Sequence, residues 1–273
     1  MCILVERSHM PAKIISVVNQ KGGSGKTTVS MQLAGALACR GNKVLVVDAD
    51  PQGTATRWAA SADDEKPFPA SVVSLSAAGT KVHREVRKFV DDYHYIIIDC
   101  PPAADSPVPQ SALLIADLAL VPIIPSPLDM WAAVAIRQVI ENVGDINEDL
   151  QARLVLNQCQ PNTTLAKEAL EVLPEFGIDL CGTYIHQRQV YRQSAVFGQT
   201  VHDFGSKAAP AIKEVEALTG EVLALLHPAA VESPDNTETL LESEDKTQTL
   251  VEPEVESTTL VEVESETSTG ERA

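Results

Sequence analysis

Residues 13–28 read KIISVVNQKGGSGKTT, and this stretch decides the fold. A short apolar run rich in β-branched residues passes into a glycine-rich segment and then into a helical pattern, which reads as buried strand, tight loop and helix. Gly22, Gly23 and Gly25 let the backbone turn sharply enough for its N–H groups to converge on phosphate oxygens. The helix that follows adds its N-terminal dipole. In a phosphate loop of the form G-x-x-x-x-G-K-[ST], Lys26 reaches the β- and γ-phosphates and the Thr27 hydroxyl ligates Mg²⁺. Residues Gly22, Gly23, Ser24, Gly25, Lys26, Thr27 and Thr28 are therefore the phosphate-binding candidates. Gln20 stands where the first glycine of the pattern is expected, and an extra lysine, Lys21, follows it.

Outward from the loop, similar apolar runs recur at residues 43–48 (KVLVVD), 95–99 (YIIID), 118–123 (LALVPI) and 152–157 (ARLVLN). They are short, rich in β-branched residues and nearly free of polar ones, as strands buried on both faces are. Amphipathic segments at residues 28–39, 82–89 and 131–143 lie between them, and a last helix is expected over residues 210–226. Strands alternating with helices predict an α/β fold with a mostly parallel sheet sandwiched by helices. A weaker strand is expected at residues 182–185, GTYI.

The character changes after His227-Pro228. From Ala229 onward there are 13 acidic and two basic residues, a net charge of −11, which leaves −6 of the total −17 for the body. This tail has no aromatic residue and is rich in Glu, Thr, Ser and Val, so it reads as disordered. Within it TLLE at Thr239, TLVE at Thr249 and TLVE at Thr259 recur every ten residues. They suit a low-complexity solubility tail, repeated short linear motifs or an acidic brake on nucleic-acid binding. The expected organisation is an extension over 1–12, an ATPase domain over 13–228 and the tail over 229–273. Met1 and Met10 are alternative starts.

Cys2, Cys39, Cys100, Cys159 and Cys181 are scattered and form no C-x-x-C pair. That argues against a disulfide framework and against zinc or iron–sulfur sites, in keeping with a reducing cytoplasm. No apolar run approaches the roughly 18 residues of a membrane span, and residues 1–13 lack the order of a signal peptide.

Two carboxylates sit where a nucleotide site needs them. Asp99 ends the run YIIID, from which its side chain can hold Mg²⁺ beside the loop. Asp48 and Asp50, in VVDADPQGTA, lie at and just after the end of another strand. Open α/β sheets bind ligands at strand C-termini, and an aspartate there can orient or polarise an attacking water.

KGGSGKTT, VLVVDADPQGTAT and IIIDCPP together resemble the three nucleotide motifs of the ParA/MinD family of deviant Walker A ATPases, over residues 13–226. The resemblance implies a P-loop NTPase fold of the deviant Walker A type that hydrolyses ATP with Mg²⁺. It makes Lys21 the signature lysine, which crosses a face-to-face homodimer to the partner's phosphates. Asp50 takes the position of the hydrolytic aspartate near the metal, Asp48 that of a nearby switch residue, and Asp99 that of the second metal-site residue. Asn157 matches an asparagine found near adenine, and Pro125 and Pro127 border the same base pocket. The catalytic set is then Lys21, Lys26 and Asp50, with Thr27, Asp50 and Asp99 at the metal. A cation supplied by a second subunit stabilises the charge developing in phosphoryl transfer, so such a site makes dimerisation depend on ATP.

Among branches of the family, an acidic tail is a poor match to the membrane-inserting basic helix of MinD-like proteins. The body is similar to the small ParA-type partition and positioning ATPases, which serve plasmids or, in McdA-like members, carboxysomes. That branch implies a cytoplasmic, nucleoid-associated protein that binds non-specific DNA in its ATP form and is released by an adaptor stimulating hydrolysis, with no membrane partner. Arg188, Arg192, Lys207 and Lys213 are candidates for phosphate contacts to DNA. Lys81, Arg84, Arg87 and Lys88 form a second basic cluster. The alternatives are a small-molecule ATP-dependent ligase of the same superfamily and a membrane-bound division regulator.

Overall fold

The computed structural model describes residues 10–102, 106–160 and 172–228. The expected extension over 1–12 falls mostly outside these residues, and the acidic tail with its repeats falls wholly outside them.

Six parallel strands form one sheet: β1 (Lys13–Val17), β2 (Val44–Asp48), β3 (Ser71–Ser74), β4 (Tyr95–Asp99), β5 (Leu118–Ile123) and β6 (Gln151–Leu156), in the order β3-β2-β4-β1-β5-β6. The α/β expectation holds, and the five strands read from sequence appear within one residue of their expected ends. Every residue of β2, β4 and β5 is buried. Alternate residues serve two separate cores, because successive strand side chains point to opposite faces. Ile15, Val17, Val46 and Ile97 face one core, packed by α1 (Lys26–Cys39), α2 (Thr54–Ala60), α6 (Gln189–Val196) and α7 (Ala209–Leu226). Ile14, Leu45, Val47, Ile96 and Ile98 face the other, packed by α3 (Val82–Val86), α4 (Val108–Leu113) and α5 (Pro127–Gly144). Each such side chain removed from water contributes about 1.5–3 kcal/mol, so the apolar runs both form the strands and recruit helices to the two faces.

Two expectations change. The strand at 182–185 does not form; the chain there makes only single-residue bridges, Leu154 to Leu180 and Cys159 to His186. The segment still follows β6, with Cys181 N–H donating to the Leu154 carbonyl at 2.8 Å and Ile185 N–H to the Leu156 carbonyl at 2.9 Å, but its register slips between those two bonds and no continuous ladder forms. Glu221 on α7 holds its other side, accepting the Gly182 N–H at 2.8 Å and the Thr183 hydroxyl. Conversely, β3 was not expected. It is a four-residue edge strand with no fully buried residue, and its register on β2 supplies what its short SVVS pattern cannot.

The sheet order brings three strand ends together. Val17 lies opposite Asp99, and Asp99 opposite Asp48. The phosphate loop therefore leaves β1 with Asp99 at the end of the adjacent strand β4 and Asp48 at the end of β2, one strand further on.

Candidate nucleotide site

The helix α1 starts behind Gly25, whose φ of +89° is left-handed. No side chain caps it, so the N–H groups of its first turn keep their donor capacity for an anion. The loop is braced from the end of β6. Asn157 Nδ2 donates to the Ser24 carbonyl at 2.8 Å, and Gln158 Nε2 donates to the Gly23 carbonyl at 2.8 Å. A Cβ on residue 25 would fall 2.1 Å from Asn157 Nδ2, so glycine is required there by conformation and by space. Asn19 ties the loop entrance to β5: its Nδ2 donates to the Pro122 carbonyl at 2.6 Å, while its Oδ1 accepts the Lys21 N–H at 3.1 Å.

The Asn157 amide lies against the loop backbone, where its Oδ1 also accepts the Gln158 N–H at 2.9 Å. Both ends of that amide are engaged within the chain. Pro125 is buried at the end of the β5 segment, and Thr28 is half-buried on the α1 face toward α6 and α7. The Pro127 side chain lies outside the described residues.

Lys26 is buried, and its Nζ donates to the Lys21 carbonyl at 3.1 Å. Burial lowers its pKa, opposed by Asp99, Cys100 and Asp50. Asp99 is fully buried and accepts hydrogen bonds from the Thr27 hydroxyl at 2.7 Å and the Ser30 hydroxyl at 3.2 Å. Burial pushes its pKa up to about 7, against those two bonds, and nearby Asp48 adds to the rise. Asp48 is fully buried too, accepting Thr56 N–H at 2.8 Å and Thr56 Oγ1 at 2.9 Å, which anchors α2 to the end of β2. Asp50 is only partly buried. Its N–H donates to Asp48 at 3.3 Å and its Oδ1 accepts the Gln52 N–H at 2.9 Å, leaving Oδ2 without a partner among the described residues.

The donor set fits a hard divalent cation brought by a nucleotide. The buried Asp99 carboxylate, satisfied only by neutral hydroxyls, and the Thr27 hydroxyl 2.7 Å away are the oxygen ligands such an ion prefers. Among the described residues no cluster of three or more His, Cys, Asp or Glu could cage a metal without help. Phosphate oxygens would have to complete the shell, as they do for Mg²⁺.

This buried charge has a measurable consequence. With its pKa raised from 3.8 to about 7 on folding, Asp99 holds a proton in the folded chain that the unfolded chain releases. The contribution of Asp99 to the stability of the nucleotide-free protein thus falls as pH rises from about 4 to about 7, and the loss levels off above that. Asp99→Asn keeps an oxygen acceptor and removes the charge. We expect it to stabilise the nucleotide-free protein at pH 8 by about 1–4 kcal/mol, with a flatter melting temperature between pH 4 and 7 and loss of Mg²⁺-dependent stabilisation by ATP. A variant no more stable than wild type at pH 8 contradicts this account.

Sequence reasoning missed Asp129. Lys21 Nζ, on a side chain 41 % exposed, donates to Asp129 Oδ2 at 2.9 Å. Asp129 lies in the first turn of α5 behind the N-cap Ser126, whose hydroxyl accepts its N–H at 3.3 Å and donates to its carboxylate. The signal was present in the sequence as S-x-x-D, a helix-capping pattern.

Of the four residues expected to contact DNA, one has an acidic partner in the fold. Arg188 is bound to Glu214 on α7, with Nε at 3.1 Å and a terminal nitrogen at 2.5 Å. Burial raises the Glu214 pKa, but the bonds from Arg188 and His186 outweigh it and hold the carboxyl below its usual range. Arg192, Lys207 and Lys213 are exposed, with no charged partner among the described residues. Arg84 and Arg87 are exposed as well, while Lys88 pairs with Glu85. These clusters belong to elements on opposite faces of the sheet, α6–α7 and α3, so they do not form one surface. Cys100 is buried, and burial drives its pKa up, leaving a small unreactive core residue.

Comparison with known proteins gives this geometry its family. The model of the CobQ/CobB/MinD/ParA nucleotide binding domain matches residues 15–201. The Maintenance of carboxysome distribution protein A of Halothiobacillus neapolitanus is 32% identical over 209 residues, 77% of this chain and 95% of that protein. Among solved structures, an ATP complex of a Cyanothece McdA variant superposes with a TM-score of 0.67, covering 80% of this chain and 97% of that one at 18% identity. The cobyrinic acid a,c-diamide synthase of Mycobacterium smegmatis, with an ATP analogue and magnesium, reaches 0.63 at 23% identity, covering 83% and 99%. At these identities the structural likenesses establish the P-loop fold alone. The chain belongs to the CobQ/CobB/MinD/ParA nucleotide-binding domain family.

Proposed function

We propose that this chain is an ATPase that positions a large cellular assembly by cycling on nucleoid DNA. ATP joins two copies face to face, the pair holds DNA without sequence preference, and an adaptor that stimulates hydrolysis releases it. The single observation that carries this reading is Lys21: a second lysine beside the phosphate loop, at the loop's accessible edge rather than in its own buried phosphate site. The carboxysome relative, matched over 95% of its length, favours a carboxysome or similarly large cargo.

In this reading Lys26 and the α1 N-terminus hold the phosphates, and Asp50 orients the attacking water through its free oxygen. Thr27 and Asp99 would hold Mg²⁺, which supplies charge neutralisation on the phosphoryl oxygens. Lys21 of a second copy adds positive charge where the transition state develops negative charge. Arg192, Lys207 and Lys213 are the remaining candidates for DNA contact, with Arg188 a support for the helix that carries Arg192. Among the described residues no helix is long and apolar enough to cross a membrane.

Lys21→Ala is expected to abolish ATP-dependent dimerisation and, with it, ATP-dependent retention on non-specific DNA, while nucleotide still binds the monomer. Sedimentation velocity with ATP, ADP or no nucleotide, followed by a DNA mobility shift, checks both. A variant that dimerises with ATP as wild type does would remove Lys21 from this role. The ligase reading has the synthase fold in its favour; a small-molecule product formed at the expense of ATP would establish it.

A further inference from the structure

Lys21 is not idle in the single chain. Its ammonium lies 2.9 Å from Asp129 Oδ2, and the two residues are 108 positions apart. Asp129 is almost completely buried, with a side chain 3 % exposed. Its Oδ2 also accepts the Ser126 hydroxyl, while its Oδ1 is buried with no hydrogen-bond partner among the described residues. Lys21 is the cation paired with this carboxylate among the described residues. A buried carboxylate with one unsatisfied oxygen depends heavily on the cation it has, because removing one member of such a pair strands the other charge.

We propose that Asp129 is a positioning residue that holds Lys21 within its own subunit and so sets how much ATP is needed to form the dimer. The inference rests on the assignment of Lys21 to the partner's phosphates. To cross to a second copy, Lys21 must leave Asp129, and the buried carboxylate then lacks a cation. The unfavourable charge opposes dimerisation until the phosphates of a bound ATP in the partner offer Lys21 a stronger site. ADP offers less negative charge there, and the lysine stays on Asp129. The ion pair is thus a restraint that ATP overcomes and ADP does not.

Two variants test this, with dimerisation read by sedimentation velocity across an ATP series and nucleotide affinity of the monomer measured separately by calorimetry. Asp129→Asn keeps the shape and the capping acceptor for its own N–H while removing the charge. It is expected to lower the ATP concentration for half-maximal dimerisation by about fivefold or more, and to produce dimer in ADP where wild type has none. Ser126→Ala keeps the carboxylate charged and removes a competing donor, so its ATP requirement should stay at or above that of wild type. A simple loss of helix capping would move both variants the same way, whereas the restraint separates them. An ATP requirement unchanged or raised in Asp129→Asn overturns the proposal. If Asp129→Asn behaves as wild type while Lys21→Ala cannot dimerise, the restraint alone fails; if Lys21→Ala dimerises normally, the assignment beneath it fails.

Discussion

Gly25→Ala is expected to reduce affinity for Mg²⁺-ATP by at least about 100-fold and to leave no measurable turnover. Two costs combine. A non-glycine residue in the left-handed region costs roughly 1–2 kcal/mol, and the φ of Gly25 is +89°. The added methyl would also fall 2.1 Å from Asn157 Nδ2, a distance no real contact shows. That amide cannot step aside freely, because it donates to the Ser24 carbonyl at 2.8 Å and its oxygen accepts the Gln158 N–H at 2.9 Å. Relief must come from the loop itself, whose N–H groups converge on phosphate only in one conformation. The cores are remote from the substitution, so the nucleotide-free variant should still unfold cooperatively. Calorimetric titration with a non-hydrolysable ATP analogue and a melting curve of the free protein are the two measurements. An affinity within threefold of wild type would show that the brace does not hold the loop.

Asp50→Ala should separate hydrolysis from assembly. Loss of a positioned base costs about 10²–10⁴ in rate, so turnover should fall at least about 100-fold while the ATP-bound dimer accumulates and stays on DNA. The geometry favours this outcome. Asp50 is the less buried of the paired aspartates, its Oδ1 is fixed by the Gln52 N–H, and its Oδ2 has no partner among the described residues. Asp48, by contrast, spends its carboxylate on Thr56 and the Asp50 N–H, which makes it a strut between β2 and α2. Single-turnover hydrolysis and the lifetime of the dimer after ATP is diluted read the two effects independently. Normal turnover would place the water elsewhere; loss of dimer together with turnover would make Asp50 a binding residue.

Both variants act at positions that were visible in the sequence, and the reason is local. A phosphate loop and a strand end each need particular residue types within a few positions, so KIISVVNQKGGSGKTT and VLVVDADPQ announced them. The long helices α1, α5 and α7 were legible through their apolar spacing. Among the short helices α3 was read, within the segment 82–89, but α2, α4 and α6 were not. α2 has seven residues, starts behind the left-handed Gly53 and is anchored by Asp48 from another element. α4 and α6 are similarly brief, too short for periodicity to declare them. GTYI carries the pattern of a strand, yet its register on β6 slips between the bonds from Cys181 to Leu154 and from Ile185 to Leu156, which the pattern alone does not reveal.

The sequence by itself determined the α/β class, the loop that faces phosphate and the two strand-end aspartates beside it, because each depends on backbone conformation and on neighbours a few residues apart. Only the tertiary structure decided which charges are free. It tied Arg188 to Glu214, closed Asn157 onto the phosphate loop and set Lys21 against Asp129. A side chain's partner depends on distance in space and on burial, and folding brings together residues whose separation along the chain carries no trace of the contact.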